Sequence, residues 1–262
     1  PLGSMSLKAL KEYIDEAKQR NILILKPDIN LSINDCKVGT NKIRLPMAII
    51  KNVGVNAQKE ILEEREKGEY KDFFDFVGRV YGKSVTKKTI ECLIDADALS
   101  SFNYNHQTLA NNIENALRYA ELANSLDLDL IEKPVMEEMI EYDANTLMQR
   151  ELNCYGFYLS NHPASKYQAK DIMKLNQVRD NFDKFVKCVV IINNIRQIKT
   201  KKNQDMAFIT ASDEFDKMDF IIFPSNYQMV YNIKKNDLVL VTGRVARRLD
   251  KFQINVESIK KL

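Results

Sequence analysis

Histidine and cysteine are scarce in this sequence. Two histidines, His106 and His162, and four scattered cysteines, Cys36, Cys92, Cys154 and Cys188, include no C-x-x-C pair. That pattern argues against a structural zinc site. Scattered cysteines without a signal-peptide pattern point to a reducing, cytoplasmic setting. No apolar run approaches membrane-spanning length, so no membrane partner is expected. There is no P-loop, no G-x-S-x-G and no histidine beside a plausible nucleophile. Carboxylates abound, but pairs such as Glu63-Glu64 and Glu137-Glu138 fall on charged helical faces and read as solvated surface. The expectation is a chain that is not itself an enzyme and holds no metal or cofactor.

What is present is a globular composition: 262 residues, 45% hydrophobic and 29% charged. That length suits two domains, or one with an appendage. The net charge of +3 is unevenly spread. From Asp183 onward there are 15 Lys+Arg against 9 Asp+Glu, while the preceding stretch is mildly acidic. A basic C-terminal domain suits a polyanionic partner, although ordinary solvated charge would look the same. Pro1-Leu2-Gly3-Ser4 reads as the remnant of a cleaved tag on a piece of a longer chain, and is set aside.

The first ~180 residues have helical periodicity. Leu7, Leu10, Ile14 and Ala17 form one stripe, and "ILILKPDINL" is extended and closes that unit. A helix ending at Lys51 and another beginning at Ala57 flank Asn52-Val53-Gly54-Val55-Asn56. "KDFFDFVGRV" puts Phe73, Phe76, Val77 and Val80 on one face, and "TKKTIECLIDADAL" follows with Thr86 as its N-cap. One longer helix carries Leu109, Ile113, Ala116, Leu117 and Ala120, a loop covers 124–134, and a last helix leads to "CYGFYLSNHP". After about Phe182 the texture turns to β-branched and aromatic runs: "VKCVVIINNIRQI", "MAFITASD", "MDFIIFP", "DLVLVTGRVARR" and "KFQINVESI". Five strands with a short helical piece between the third and fourth predict a five-stranded OB barrel. The fold class is α+β: a mainly helical N-terminal region with a helix-hairpin-helix unit, then the barrel.

Two places could grip a polyanion. A turn between helices needs residues that accept φ > 0, and Gly and Asn do so best. The amides of such a turn, with the next helix N-terminus, suit phosphate. Lys51, Asn52, Gly54, Asn56 and Lys59 would then hold a duplex backbone without reading sequence, although a plain helix–helix connection would use similar residues. In the barrel, Lys199, Lys201 and Lys202 fall in the first inter-strand loop, and Arg244, Arg247 and Arg248 lie on or after the fourth strand. Alternation sets Met206, Phe208 and Thr210 opposite Ala207 and Ile209. Phe208 beside basic loops is a platform for stacking an unpaired base, whereas Phe223, before Pro224, reads as core.

The ordered runs "EAKQRNILILKPDIN", "IKNVGVNAQKEILEEREKGEYKDFFDF", "VTKKTIECLIDADAL", "YGFYLSNHP", "TKKNQDMAFITASDE" and "MDFIIFPSNY" resemble the C-terminal half of the bacterial DNA polymerase III alpha subunit, DnaE type. The resemblance implies the following parse: 5–41 as the end of a fingers-like region, 42–123 as the helix-hairpin-helix domain, 124–181 as a linker, and 182–262 as the OB domain. It implies that the hairpins hold duplex DNA, that the barrel holds single-stranded template, and that the polymerase's catalytic aspartates lie in an upstream palm domain. It also implies a sliding-clamp (beta subunit) motif in the linker, matched here by Ser125-Leu126-Asp127-Leu128-Asp129-Leu130, with Ser125 in place of the usual Gln. Other replisome subunits are implied partners. Departures include Asn52-Val53-Gly54-Val55-Asn56 for Gly-x-Gly-x-Gly, Asn161-His162-Pro163 for Gly-His-Pro, and Asp97 where a Gly often ends the second hairpin helix.

The expected function is DNA binding and clamp docking without catalysis, in a replicative polymerase. The alternatives are a replisome scaffold without DNA affinity and a separate nucleic-acid-processing enzyme.

Overall fold

The computed structural model describes residues 7–123, 132–160, 162–249 and 251–262. These divide into two compact units with the boundary between Leu159 and Ser160.

The first unit is helical around one aromatic-rich core. Helix α1 (Leu7–Gln19) buries Leu10 and Ile14. Strands β1 (Leu23–Leu25), β2 (Lys37–Gly39) and β3 (Lys42–Arg44) form a small sheet in the order β1-β3-β2, with β1 and β3 parallel. The stretch "ILILKPDINL" therefore does not close a unit. Ile29 is fully buried, its amide donates to Ala98 O, and it packs with Phe73, Phe76 and Leu93 in a single core cluster. The expected border between 41 and 42 also falls inside this sheet.

Helices α2 (Val55–Arg65), α3 (Phe73–Val80) and α4 (Lys87–Asp95) follow. Asp72 caps α3 by accepting from Asp75 N, and Thr86 caps α4 by accepting from Thr89 N; each satisfies an otherwise orphaned first-turn donor. The predicted face of α3 is buried, and Phe74 joins it against Tyr119. Asp97 ends α4 at φ 62°, with Ala98 N donating to Leu93 O. An aspartate thus occupies the left-handed position that glycine usually takes. Glu64 departs from the solvated reading: it is mostly buried and braced by Arg79 and Lys67.

The single long helix predicted through Leu109 and Ala120 is two: α5 (His106–Asn111) and α6 (Ile113–Ala123). The break is Asn112, which is fully buried. Its side-chain amide donates to Thr108 O and Glu137 O, and its Oδ1 accepts from Glu137 N. The apolar stripe runs straight past this residue, so periodicity alone does not reveal the break. Helix α7 (Ala144–Tyr155) is capped by Asp143 and stops at Gly156, φ 83°.

The second unit is a closed barrel of β4 (Phe185–Lys199), β5 (Asp205–Ser212), β6 (Lys217–Ile222), β7 (Leu238–Arg248) and β8 (Lys251–Lys261), in the order β4-β5-β6-β8-β7. The β6–β8 pair is parallel and closes the ring. A 3-10 segment, Pro224–Asn232, sits between β6 and β7, as the sequence predicts. The unit begins ahead of residue 182 because Leu175 and Val178 of the short helix α8 (Leu175–Val178) join the barrel core. Asp213 holds α8 there by accepting from Leu175 N. Its carboxyl is pushed up by burial.

Candidate nucleic-acid interface

The hairpin differs from its sequence reading in three respects. The element before it is a single 3-10 turn, Met47–Ile49, not a helix running to Lys51. The following helix starts at Val55, two residues earlier than predicted, so Asn56 lies within α2 and not in the turn. Only Asn52 takes positive φ, at 63°, whereas Gly54 sits at φ −70°. Asn52 is locked there: its Nδ2 donates to Cys92 Sγ at 3.3 Å, and its carbonyl accepts from Thr89 Oγ1 at 3.1 Å. Lys51 N donates to Cys154 O and Val53 is buried, so both sides of the turn are pinned.

The hairpin tip is open. Gly54 is the N-cap of α2 and supplies no side-chain hydrogen bond, and the first turn of α2 carries no acid. A β-carbon added to Gly54 would meet nothing within 4 Å. Lys51, Asn52, Gly54 and Asn56 are exposed, and so is Val55, at 69%. The helix N-terminus therefore presents its positive end and first-turn amides to solvent, which favours an anion. Lys59 is also exposed, but it pairs with Glu63 Oε1 at 3.5 Å, one turn along.

On the barrel, alternation along β5 holds: Ala207, Ile209 and Ala211 are buried, and Met206, Phe208 and Thr210 are half-exposed on the outside. Strand pairing extends this face into two rows. One row crosses Arg196 (β4), Phe208 (β5), Ile221 (β6), Asn255 (β8) and Arg244 (β7). The neighbouring row crosses Asn194, Thr210, Asp219 and Gln253 in the same strand order. The first row has an aromatic ring between arginine positions, and the second consists of hydrogen-bonding side chains. Thr210 Oγ1 donates to Asp219 Oδ1 at 3.1 Å, and Gln253 Nε2 donates to Asn255 Oδ1 at 3.0 Å.

A groove of about 500 Å³ opens on this face, lined by Arg179, Thr210, Lys217, Asp219, Lys251 and Phe252, among others. Sequence reading missed Arg196, Lys217, Asp219 and Lys251, because only the ladder register, above all the parallel β6–β8 pairing, brings them together.

The other predicted residues fall as follows. Lys199 is the last residue of β4, paired with Asp205 at 4.0 Å, and not in the loop. Lys201 and Lys202 are exposed in the following turn. Arg244, Arg247 and Arg248 are all on β7. Arg244 reaches Asp183 at 3.5 Å and lies over Phe185, and Arg247 lies over Phe252, 5.8 Å from the ring centre. Phe223 is not core: it is 42% exposed, one residue beyond β6. Ser125, Leu126, Asp127, Leu128 and Leu130 lie outside the described residues.

Among the described residues no group of His, Cys, Asp and Glu is arranged to hold a metal ion, and no helix is long and apolar enough to cross a membrane. All four cysteines are free. Burial pushes the Cys154 and Cys188 thiols up to about 12, where a thiolate does not form at neutral pH.

Residues 21–109 match the model of a helix-hairpin-helix motif, and residues 186–262 match that of an OB-fold nucleic acid binding domain. The class is thus a nucleic-acid-binding chain that joins these two modules. The DNA polymerase III subunit alpha of Bacillus subtilis (strain 168) is 33% identical over 257 residues, covering 93% of this chain and 23% of the relative. That of Staphylococcus aureus (strain COL) is 32% identical over 263 residues, covering 98% of this chain and 25% of the relative. The chain belongs to the DNA polymerase III alpha family and spans about a quarter of the length of these relatives. A solved domain of replication protein A from Methanococcus maripaludis aligns with 35% of this chain and 94% of its own at 12% identity, with a TM-score of 0.30, too slight a likeness to carry any inference.

Proposed function

We propose that this chain is a DNA-holding region of a replicative polymerase and performs no nucleotide transfer by itself. The hairpin tip grips the backbone of duplex DNA, and the outer barrel face takes the single-stranded template. The observation that carries this reading is the Arg196–Phe208–Ile221 row beside a groove bearing Lys217 and Lys251. An outward aromatic with a cation on the neighbouring strand and basic residues nearby is how a barrel stacks bases and follows a backbone without reading sequence. The hairpin supplies the complementary device, an open helix N-terminus with Lys51 beside a rigid turn, which addresses phosphate and not bases.

The same reading assigns residues 124–131 to the sliding clamp. Leu126, Leu128 and Leu130 alternate with Asp127 and Asp129, so an extended peptide would place the leucines on one side for insertion into apolar pockets.

The deciding experiment is a titration of fluorescent single-stranded and primed duplex oligonucleotides at several salt concentrations. Binding to both, with log K falling linearly against log salt, is the expected result. A folded chain that binds neither strand type at low salt overturns the reading in favour of a protein-docking scaffold.

A further inference from the structure

Of the two rows on the outer barrel face, the Phe208 row accounts for stacking and charge. The neighbouring row has no role in a platform that ignores sequence, and at its centre stands a carboxylate. Asp219 lies in the groove with Lys217, Lys251 and Arg179. A negative charge in the path of a polyanion costs affinity, so its position calls for a gain elsewhere. Its surroundings show what that gain is. Asp219 lies directly across β5 and β6 from Thr210 and directly across β6 and β8 from Gln253. Thr210 donates to Oδ1, which keeps that oxygen's second lone pair and both of those on Oδ2 available. Gln253 donates its amide to Asn255, which leaves the Gln253 carbonyl as a further acceptor in the row. The edge beside the stacking residue is therefore weighted toward acceptors.

We infer that Asp219 makes the barrel face selective among unpaired bases, favouring guanine and disfavouring thymine. The inference rests on the single-strand reading of this face. A base lying on Phe208 turns one edge toward the Thr210–Asp219–Gln253 row, the next outward row along the strands. Guanine presents two adjacent donors on its Watson–Crick edge, the ring N1–H and the exocyclic N2 amine, which match the two oxygens of a carboxylate. Cytosine and adenine each present one amine beside a ring acceptor. Thymine presents a single N–H between two carbonyls, both of which a carboxylate repels. Sequence-specific readers of single-stranded RNA use this edge of unstacked bases, and the same donors and acceptors are present on an unpaired DNA base. Lys217 and Lys251 take the phosphates, with Arg179 beside them paired to Asp216 at 2.8 Å, so the backbone runs along the groove's cations while base edges turn to Asp219.

The test uses the whole 262-residue chain and three fluorescent twelve-mers: all thymine, thymine with spaced guanines, and the same strand with inosine in place of each guanine. Inosine lacks only the N2 amine. Wild-type protein is expected to bind the guanine strand at least about fivefold more tightly than the thymine strand, the lower bound for a two-point base contact. Inosine should lose much of that gain with no change to the protein. Asp219→Asn, a near-isosteric change at an exposed position, should bring guanine and thymine strands to equal affinity and raise affinity for thymine. Equal binding of all three strands by wild type, or a guanine preference that survives Asp219→Asn in a folded protein, overturns the inference and leaves the single-strand reading standing. Failure to bind any strand overturns both.

Discussion

Gly243 on β7 lies so close to Asn255 on β8 that a β-carbon at Gly243 would stand 2.2 Å from the Asn255 carbonyl oxygen and 2.7 Å from Ile254 Cγ2. The β7–β8 ladder shifts register between Thr242 and Gly243, and a bulge there draws the strands together. Backbone carbonyls cannot step aside as a side-chain tip can. Gly243→Ala is therefore expected to cost about 1–3 kcal/mol or more, the range of an overpacked site. The check is the urea midpoint together with amide exchange in β7 and β8. An unaltered midpoint and unchanged exchange would show that the strands part freely there.

Phe208 faces out, opposite Arg196 and Ile221, so truncating it removes little from the barrel core. Phe208→Ala should weaken single-strand binding by about 1–3 kcal/mol, the worth of one stacked base, while the thermal midpoint barely moves. Unchanged affinity in a folded variant would move the stacking role elsewhere on the face, and exposed Phe223 would be the next residue to test.

Lys51 is exposed beside an otherwise pinned turn. Lys51→Ala should lower duplex affinity by the same factor on every sequence and reduce the salt slope by about 1. Lys59, already paired with Glu63, should matter less. A duplex affinity and slope identical to wild type would reduce the hairpin to a connection between helices.

For the 124–131 segment, burying each leucine is worth roughly 1.5–3 kcal/mol, and the entropy lost on association takes back much of it. The expected affinity for the sliding clamp is weak, Kd about 1–100 μM. Ser125→Gln should tighten it, because an amide reaches partners that a short hydroxyl does not. Leu126→Ala with Leu128→Ala should abolish it and leave DNA binding intact. Calorimetric titration with the clamp checks each outcome, and no heat even from Ser125→Gln would remove the clamp from this segment.

Local signals were legible wherever neighbours in sequence decide the conformation. Thr86 as a cap and the outward set on β5 each follow from a few adjacent residues, whereas the left-handed position of Asp97 was marked only by the resemblance, which puts a glycine there. The hairpin was legible in type but not in detail: Asn52 alone carries the positive φ, and Gly54 instead keeps a helix end clear. What failed was non-local. Asn112 breaks a helix because Glu137, a distant residue, supplies partners for its buried amide. Phe223 follows two buried isoleucines, and hydrophobicity alone does not say that the chain leaves the barrel wall there. The groove was invisible because its lysines and its acid come from β6 and β8, whose register no local pattern encodes.

The closure of the barrel by β8 has a consequence for synthesis on the ribosome. β8 is made after the other four strands of the barrel, yet in the described barrel it is the strand that joins β6 to β7. Until it emerges, β4, β5 and β6 form an open sheet whose β6 edge has no partner, and β7 can pair only with β4. Such an edge is a template for other chains, and pairings this distant in sequence form slowly. The closed outer face of this barrel would thus be the last of its features to appear during translation. The interval before β8 emerges is when a nascent chain is most exposed to faulty pairing, and when a chaperone that shields strand edges would do the most good.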